Sequence, residues 1–200
     1  NNDDTIGWIR IPNTNVDYPV VYKAGVENYA YYESKGYDKQ YSKDGVIWAD
    51  YECTFPELSQ NTTLYGHNWH NIYTPRTQAN MQANDLMFSL VMSYNYTDFA
   101  QENPFVYFST TEQDYVFQVF ASYYTDLNFG YNYAQMSQED FQKVIAEAKA
   151  KSLSNYNVPV TSEDKIVTLS TCTRVHGNTN NQRFVVMAKL VPVGTPSTTI

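Results

Sequence analysis

The sequence predicts a mainly β protein, a closed or nearly closed barrel with helices inserted between strands. Short runs rich in Val, Ile, Tyr, Phe and Trp recur along the chain, most bounded by Gly, Pro or Asn breakers. Helical periodicity appears in three places and does not alternate regularly with the strands, as a doubly wound sheet would require. At 42% hydrophobic and 17% charged, 200 residues can bury a core without staples.

Gly7-Trp8-Ile9-Arg10-Ile11 alternates until Pro12-Asn13 breaks it, and Tyr18-Pro19-Val20-Val21-Tyr22 follows, its Pro marking a strand start or an edge. The polar, Tyr-rich stretch from Asn28 to Asp44 reads as a long loop. Gly45 to Ala49 and Thr62 to Tyr65 are two more strands. Between Asn84 and Tyr94, the residues Leu86, Met87, Leu90, Val91 and Tyr94 share one helical face, with Asn84 or Asp85 as cap. A short helix from Thr97 to Glu102 is stopped by Pro104. Strands return at Phe105–Phe108 and Tyr115–Ala121. Ser137 then caps a helix running to Ser152, with Asp140 in a capping-box-like position and Phe141, Val144, Ile145 and Ala148 as its buried stripe. Lys165–Thr171 and Arg183–Val191 are the last strands, joined through the Gly/Asn-rich loop Gly177–Asn181. With no repeat, linker or low-complexity tract, residues 1–200 read as a single domain.

A formal net charge of -8 and a pI near 4.7 argue against a broad basic surface for nucleic acid or anionic lipid. No run approaches the ~18 apolar residues of a membrane span, and the start Asn1-Asn2-Asp3-Asp4 carries no signal stretch. Any membrane anchor is expected outside this chain. Two cysteines, Cys53 and Cys172, permit one disulfide but no disulfide framework. Asn61-Thr62-Thr63 and Asn95-Tyr96-Thr97 match the glycosylation sequon, a pattern common by chance.

Cys172 ends a strand beside small hydroxyl residues, where a reactive thiol is commonly placed, whereas Cys53 reads as a bystander. Strand alternation sets Ile166, Thr168, Ser170 and Cys172 on one face and Val167, Leu169 and Thr171 on the other. If the second set faces the core, Cys172 faces a groove. A thiol with an ordinary pKa near ~8.5 needs a neighbouring imidazole or cation to become a nucleophile at neutral pH. His67, at a strand-to-loop junction after Gly66, is the leading partner, with His70 and His176 as competitors. A fixed cation for an oxyanion is offered by Arg183, at the start of a strand inferred to run antiparallel to the Cys172 strand, or by Arg174. His67-Asn68-Trp69-His70 lacks the carboxylate or Cys cluster of a metal site, and no phosphate loop occurs. Neither a metal nor a cofactor is expected. A Cys-His hydrolase of peptidoglycan stem peptides and a non-catalytic adhesin or carbohydrate-binding domain are the alternatives, the latter resting on 19 tyrosines.

Thr168-Leu169-Ser170-Thr171-Cys172, Arg183 opening the next strand, and Tyr65-Gly66-His67-Asn68, in that spatial logic and in the order His, Cys, Arg, resemble the sortase family of Gram-positive cell-surface transpeptidases. The opening segments Gly7–Pro12 and Asp17–Val21 are similar too, so the likeness spans nearly the whole chain. Ser170 within the TLSTC motif, the pattern Gly45–Asp50 and the long insertion carrying the Ser137–Ser152 helix resemble class B. The resemblance implies a closed eight-stranded barrel with that helix between the sixth and seventh strands. It implies that Cys172 attacks a Thr carbonyl in a C-terminal sorting signal, His67 moves protons and Arg183 holds the oxyanion. It further implies Tyr65, Ser170, Thr171 and Asn68 as substrate contacts, with the acceptor an amine of a cell-wall precursor or a pilin Lys. The implied location is the outer face of the cell membrane. The Asn-rich loop Thr173–Gln182, with Arg174 and His176, departs from the acidic or aromatic character of some class B relatives.

Overall fold

The structure, a computed structural model, describes residues 2–28 and 30–192; Asn1, Tyr29 of the expected Asn28–Asp44 loop, and residues 193–200 lie outside the described residues. Eight strands are seen among the described residues: β1 (Thr5–Arg10), β2 (Asp17–Val21), β3 (Ile47–Ala49), β4 (Asn61–Tyr65), β5 (Phe105–Ser109), β6 (Asp114–Asp126), β7 (Ile166–Cys172) and β8 (Gln182–Leu190). They close a barrel in the order β1-β2-β3-β4-β7-β8-β6-β5, with β5 returning to β1. This is the expected closed eight-stranded architecture.

Two of the pairings, β2 with β3 and β4 with β7, are parallel and the rest antiparallel. A parallel pair needs a long crossover, and the one from β4 to β7 carries β5, β6, α1 (Thr97–Glu102) and α2 (Gln138–Lys151). The consequence for function is geometric. Parallel β4 and β7 end at the same rim, with Tyr65 opposite Ser170. Antiparallel β8 begins at that rim, with Arg183 opposite Cys172.

The barrel interior is filled by alternating side chains such as Ile9, Leu64, Phe117, Val167, Leu169 and Phe184, all buried. A second cluster lies outside the barrel. There Phe141, Val144, Ile145 and Ala148 of α2 cover Phe120, Ile166, Val185 and Met187. A 14-residue helix is marginal alone, so this face holds it, each large buried side chain contributing roughly 1.5–3 kcal/mol. Ser137 caps the helix by accepting the Asp140 N–H at 3.1 Å. The Asp140 carboxylate accepts the Ser137 hydroxyl at 2.8 Å instead of a backbone N–H, so the capping box is not closed. None of the helices among the described residues is long and apolar enough to cross a membrane.

Two expectations need correction. No α-helix spans Asn84–Tyr94; the chain forms a 3-10 helix at Ser89–Asn95. Met87 has φ +52°, which a right-handed helix cannot contain, and Leu86 is exposed. The Asp85 carboxylate is spent on Arg76 (2.7 Å) and the Gln82 N–H (2.8 Å). Leu90, Val91 and Tyr94 are buried as read. Strand β6 continues five residues past Ala121 to Asp126, because it stays paired with β8 from Ala121–Met187 to Asp126–Gln182, and the polar Ser122 hydroxyl is satisfied by the Tyr94 carbonyl. On β7 the reading holds: Val167 and Leu169 face the core, and on the other face Ile166, Thr168 and Ser170 are buried while Cys172, at the strand end, is partly exposed.

Candidate active site

The strand ends at the shared rim open onto a cleft of about 350 Å³. His67, Cys172 and Arg183 all line it, from three separate stretches of chain. Tyr65, Ser170 and Thr171 line it as well.

His67 follows β4 directly, and its placement depends on two glycines. A Cβ on Gly66 would lie 2.6 Å from both Ile47 Cδ1 and Phe88 Cγ, so only glycine lets the chain pass here. Gly45, at φ +67°, sits under the imidazole, where a Cβ would stand 2.9 Å from His67 Cδ2. The His67 ring stacks on Trp69, with centroids 4.9 Å apart and 28° between planes, and Trp48 packs at 5.6 Å. Trp69 is itself fixed by its indole N–H to the Lys43 carbonyl at 2.7 Å. His67 Nε2 meets the Glu33 carbonyl oxygen at 2.5 Å. A carbonyl can only accept, so Nε2 carries the proton there, and Nδ1 is the ring nitrogen that remains for proton exchange.

Cys172, the last residue of β7, is partly buried and its thiol is free. Its carbonyl accepts the Asn68 amide at 3.3 Å, and the Thr171 hydroxyl donates to the Gly66 carbonyl at 2.7 Å. These bonds tie the Cys172 strand end to the His67 turn. The Arg183 guanidinium donates to the Asn180 and Gln182 carbonyls, each at 2.9 Å. The cleft thus brings together a thiol, an imidazole and a permanent cation, the parts that acyl transfer through sulfur requires.

The other wall is a segment before α2. Tyr131, whose hydroxyl pairs with Ser170 Oγ at 2.8 Å, and Asn132 both line the cleft. Burial raises the Tyr131 pKa above the usual phenol value, with the Ser170 hydrogen bond and the Arg183 charge opposing it. Across from it, Asp50 is 2% exposed and accepts the Tyr65 hydroxyl at 2.7 Å. Burial pushes this carboxyl up, against hydrogen bonds from the Glu52 N–H and Tyr65 that favour its charge.

Some sequence candidates fall elsewhere. Asn68 is buried and does not line the cleft; its amide serves Cys172 and its oxygen the Asn71 N–H at 3.0 Å. His70 is exposed away from it, and His176 packs its ring on Tyr124 at 4.5 Å. Arg174 caps its own loop through Thr173 and Asn180. Cys53 is 1% exposed among strand carbonyls, and burial pushes its thiol up to about 12; it and Cys172 are both free thiols, so the disulfide admitted by the cysteine count is not formed. The first sequon is closed to modification in the fold, since the Asn61 amide is buried and donates to the Tyr131 and Tyr133 carbonyls. The sequence reading missed Tyr131, Asn132 and the Glu33 carbonyl. A backbone oxygen leaves no residue-type signal, and nothing in Asn128–Gln135 marks it as a wall. Asp50 ends the Gly45–Asp50 pattern, and nothing in that pattern marks its carboxylate as a partner of Tyr65.

Comparison with known proteins agrees with this geometry. Residues 9–191 match the family model of the sortase domain. Sortase B of Staphylococcus aureus (strain NCTC 8325 / PS 47) is 30% identical over 193 residues, 96% of this chain and 72% of that protein. The solved Staphylococcus aureus sortase B-substrate complex superposes with a TM-score of 0.80 at 29% identity, over 96% of this chain and 82% of that one. Sortase B of Clostridium perfringens does so with 0.78 at 28% identity, over 96% of both. The non-catalytic carbohydrate-binding alternative finds no support in these matches. The chain belongs to the sortase family, the cell-surface-associated cysteine transpeptidases of Gram-positive bacteria, and within it to the class B sortases.

Proposed function

We propose that Cys172, His67 and Arg183 carry the transpeptidation, and that the cleft they line takes a C-terminal sorting signal. The observation behind this is the pairing of Cys172 with Arg183 across β7 and β8 at the rim where the His67 turn leaves β4. Cys172 Sγ, as thiolate, attacks the carbonyl carbon of a Thr in the signal, and the charge moves to the carbonyl oxygen beside Arg183. Collapse breaks the C–N bond and leaves a thioester, while His67 gives a proton to the departing amine. An incoming amine then loses its proton to His67 and attacks the thioester, forming the new amide and returning the thiolate. The Nε2–Glu33 carbonyl bond supports Nδ1 as the nitrogen that moves these protons.

Tyr65, Ser170 and Thr171 border the cleft and are proposed to shape the peptide's seat. Asn68 is assigned to holding the Cys172 strand end. The acceptor is proposed to be an amine of a cell-wall precursor or a pilin Lys. Residues 1–200 are proposed to work as one catalytic domain at the outer face of the cell membrane.

The test is cleavage of a panel of sorting-signal peptides by the wild type, Cys172→Ala and His67→Ala, with and without added amines. The wild type is expected to release the downstream peptide and to convert product from acid to amide when an amine is supplied, and both variants to be inactive. Full activity in Cys172→Ala would remove the thiol from the mechanism, and product unchanged by amines would favour the hydrolase.

A further inference from the structure

We propose that Asp50 is a positioning residue for substrate binding, acting through Tyr65 and Asn132 to latch the segment between β6 and α2 against the barrel rim. This rests on the reading of the cleft as the peptide's seat. The side chains form one directed chain. Asn132 Nδ2 donates to the Tyr65 hydroxyl at 3.0 Å, the hydroxyl donates to Asp50 Oδ2 at 2.7 Å, and Asp50 Oδ1 accepts the Glu52 N–H at 2.9 Å. An ionised carboxylate only accepts, so the Tyr65 proton points at Asp50 and a phenol lone pair faces Asn132. Three separate stretches are joined here: the residue after β3, the last residue of β4, and the wall before α2.

The same segment has a second fixed point. The buried Asn61 amide holds the Tyr131 and Tyr133 carbonyls, and Asn61 does not line the cleft. Loss of the Asp50 chain therefore frees the Asn132 side chain without detaching the segment, while Tyr131 keeps its bond to Ser170. A second consequence concerns Tyr65. With its hydroxyl proton given to Asp50, it offers a peptide its ring face more than a donor. Asp50 thus orders a wall that would otherwise have to be ordered by the substrate, which shows in KM. The chemistry at Cys172 does not pass through it.

The experiment uses the full chain and compares Asp50→Ala, Asp50→Asn, Tyr65→Phe and the Asp50→Ala/Tyr65→Phe double variant. Three readings are taken: KM and kcat for peptide cleavage, the alkylation rate of Cys172, and hydrogen exchange across residues 127–136. Asp50→Ala and Tyr65→Phe are each expected to raise KM about tenfold with kcat within about threefold, as the cost of ordering shifts to the peptide. The double variant should be no worse than either single one, because both cut the same chain. Asp50→Asn should recover to within about threefold of wild type, since its amide oxygen still accepts the Tyr65 proton. Exchange in 127–136 should speed up in Asp50→Ala while β7, β8 and the Cys172 alkylation rate stay unchanged. Additive KM effects, a fall in kcat at unchanged KM, or wild-type exchange in 127–136 would overturn the latch. If Asp50→Ala does not fold, Tyr65→Phe and Asp50→Asn carry the comparison. If the wild type cleaves no sorting peptide, the functional reading fails, and the exchange measurement still decides the latch.

Discussion

Replacing Gly45 by Ala separates backbone strain from catalytic placement, because one methyl group meets both. Gly45 adopts φ +67°, where an L-residue costs about 1–2 kcal/mol. For a chain of this size each kcal/mol lowers Tm by about 2–4 °C. The new Cβ would stand 2.9 Å from His67 Cδ2 and 3.4 Å from Nε2. Carbon atoms pack best at roughly 3.5–4.0 Å, so the ring must shift by about 0.5–1 Å. That shift pulls Nε2 out of line with the Glu33 carbonyl and slides the ring along Trp69. A misplacement of ~1 Å in a reacting group costs on the order of 10²-fold in rate. Gly45→Ala should therefore lose a modest amount of stability and a disproportionate amount of kcat. Thermal unfolding and steady-state peptide cleavage on the same preparation measure the two. A lowered Tm with wild-type kcat would refute the clamped His67, and an unchanged Tm would refute the left-handed backbone at Gly45.

Arg183→Ala should lower kcat by about 10²–10³, the size of losing one oxyanion donor, and Arg183→Lys should recover only part because it lacks the planar fork; single-turnover acylation kinetics give the values. The native protein should take up one equivalent of iodoacetamide, mapped to Cys172, and a second at Cys53 only after unfolding, since Cys53 is buried with its thiol pushed up to about 12. Asp4 carries a pH signature. Burial alone would raise its pKa, but hydrogen bonds from Tyr32, Lys23 and Lys39 more than reverse this and hold it at about 2. A depressed carboxyl stabilises the fold above its unfolded pKa, and that stability is lost as pH falls toward about 2. Denaturation midpoints should thus fall between pH 4 and 2 more steeply in the wild type than in Asp4→Asn, and the variant should be less stable at neutral pH.

The eight strands and α2 were legible because their patterns are local: the Phe141, Val144, Ile145 and Ala148 stripe has a single reading, and Ser137 marks its start. The Asn84–Tyr94 segment has helical spacing without a helix, since spacing alone does not report the left-handed turn at Met87. Cys172, His67 and Arg183, which line the cleft, could be nominated as candidates from residue type and strand-edge position. Their convergence was legible through the family resemblance and not through spacing, because it depends on β4 and β7 being parallel neighbours across a crossover of about a hundred residues. Asn68 shows the limit of position-based assignment: it sits beside His67 in sequence, yet its side chain turns inward to the Cys172 carbonyl. The wall formed by Tyr131 and Asn132 had no signal, because polar and aromatic loop residues look alike until a partner such as Tyr65 or Ser170 is placed beside them.

The most direct measurement is the intact mass of the enzyme during turnover of a sorting-signal peptide, followed by peptide mapping. A thioester adduct of the acyl fragment, mapped to Cys172 and discharged by an added amine into an amide product, is the predicted result. Turnover with no adduct, or an adduct mapped to Cys53, would contradict it.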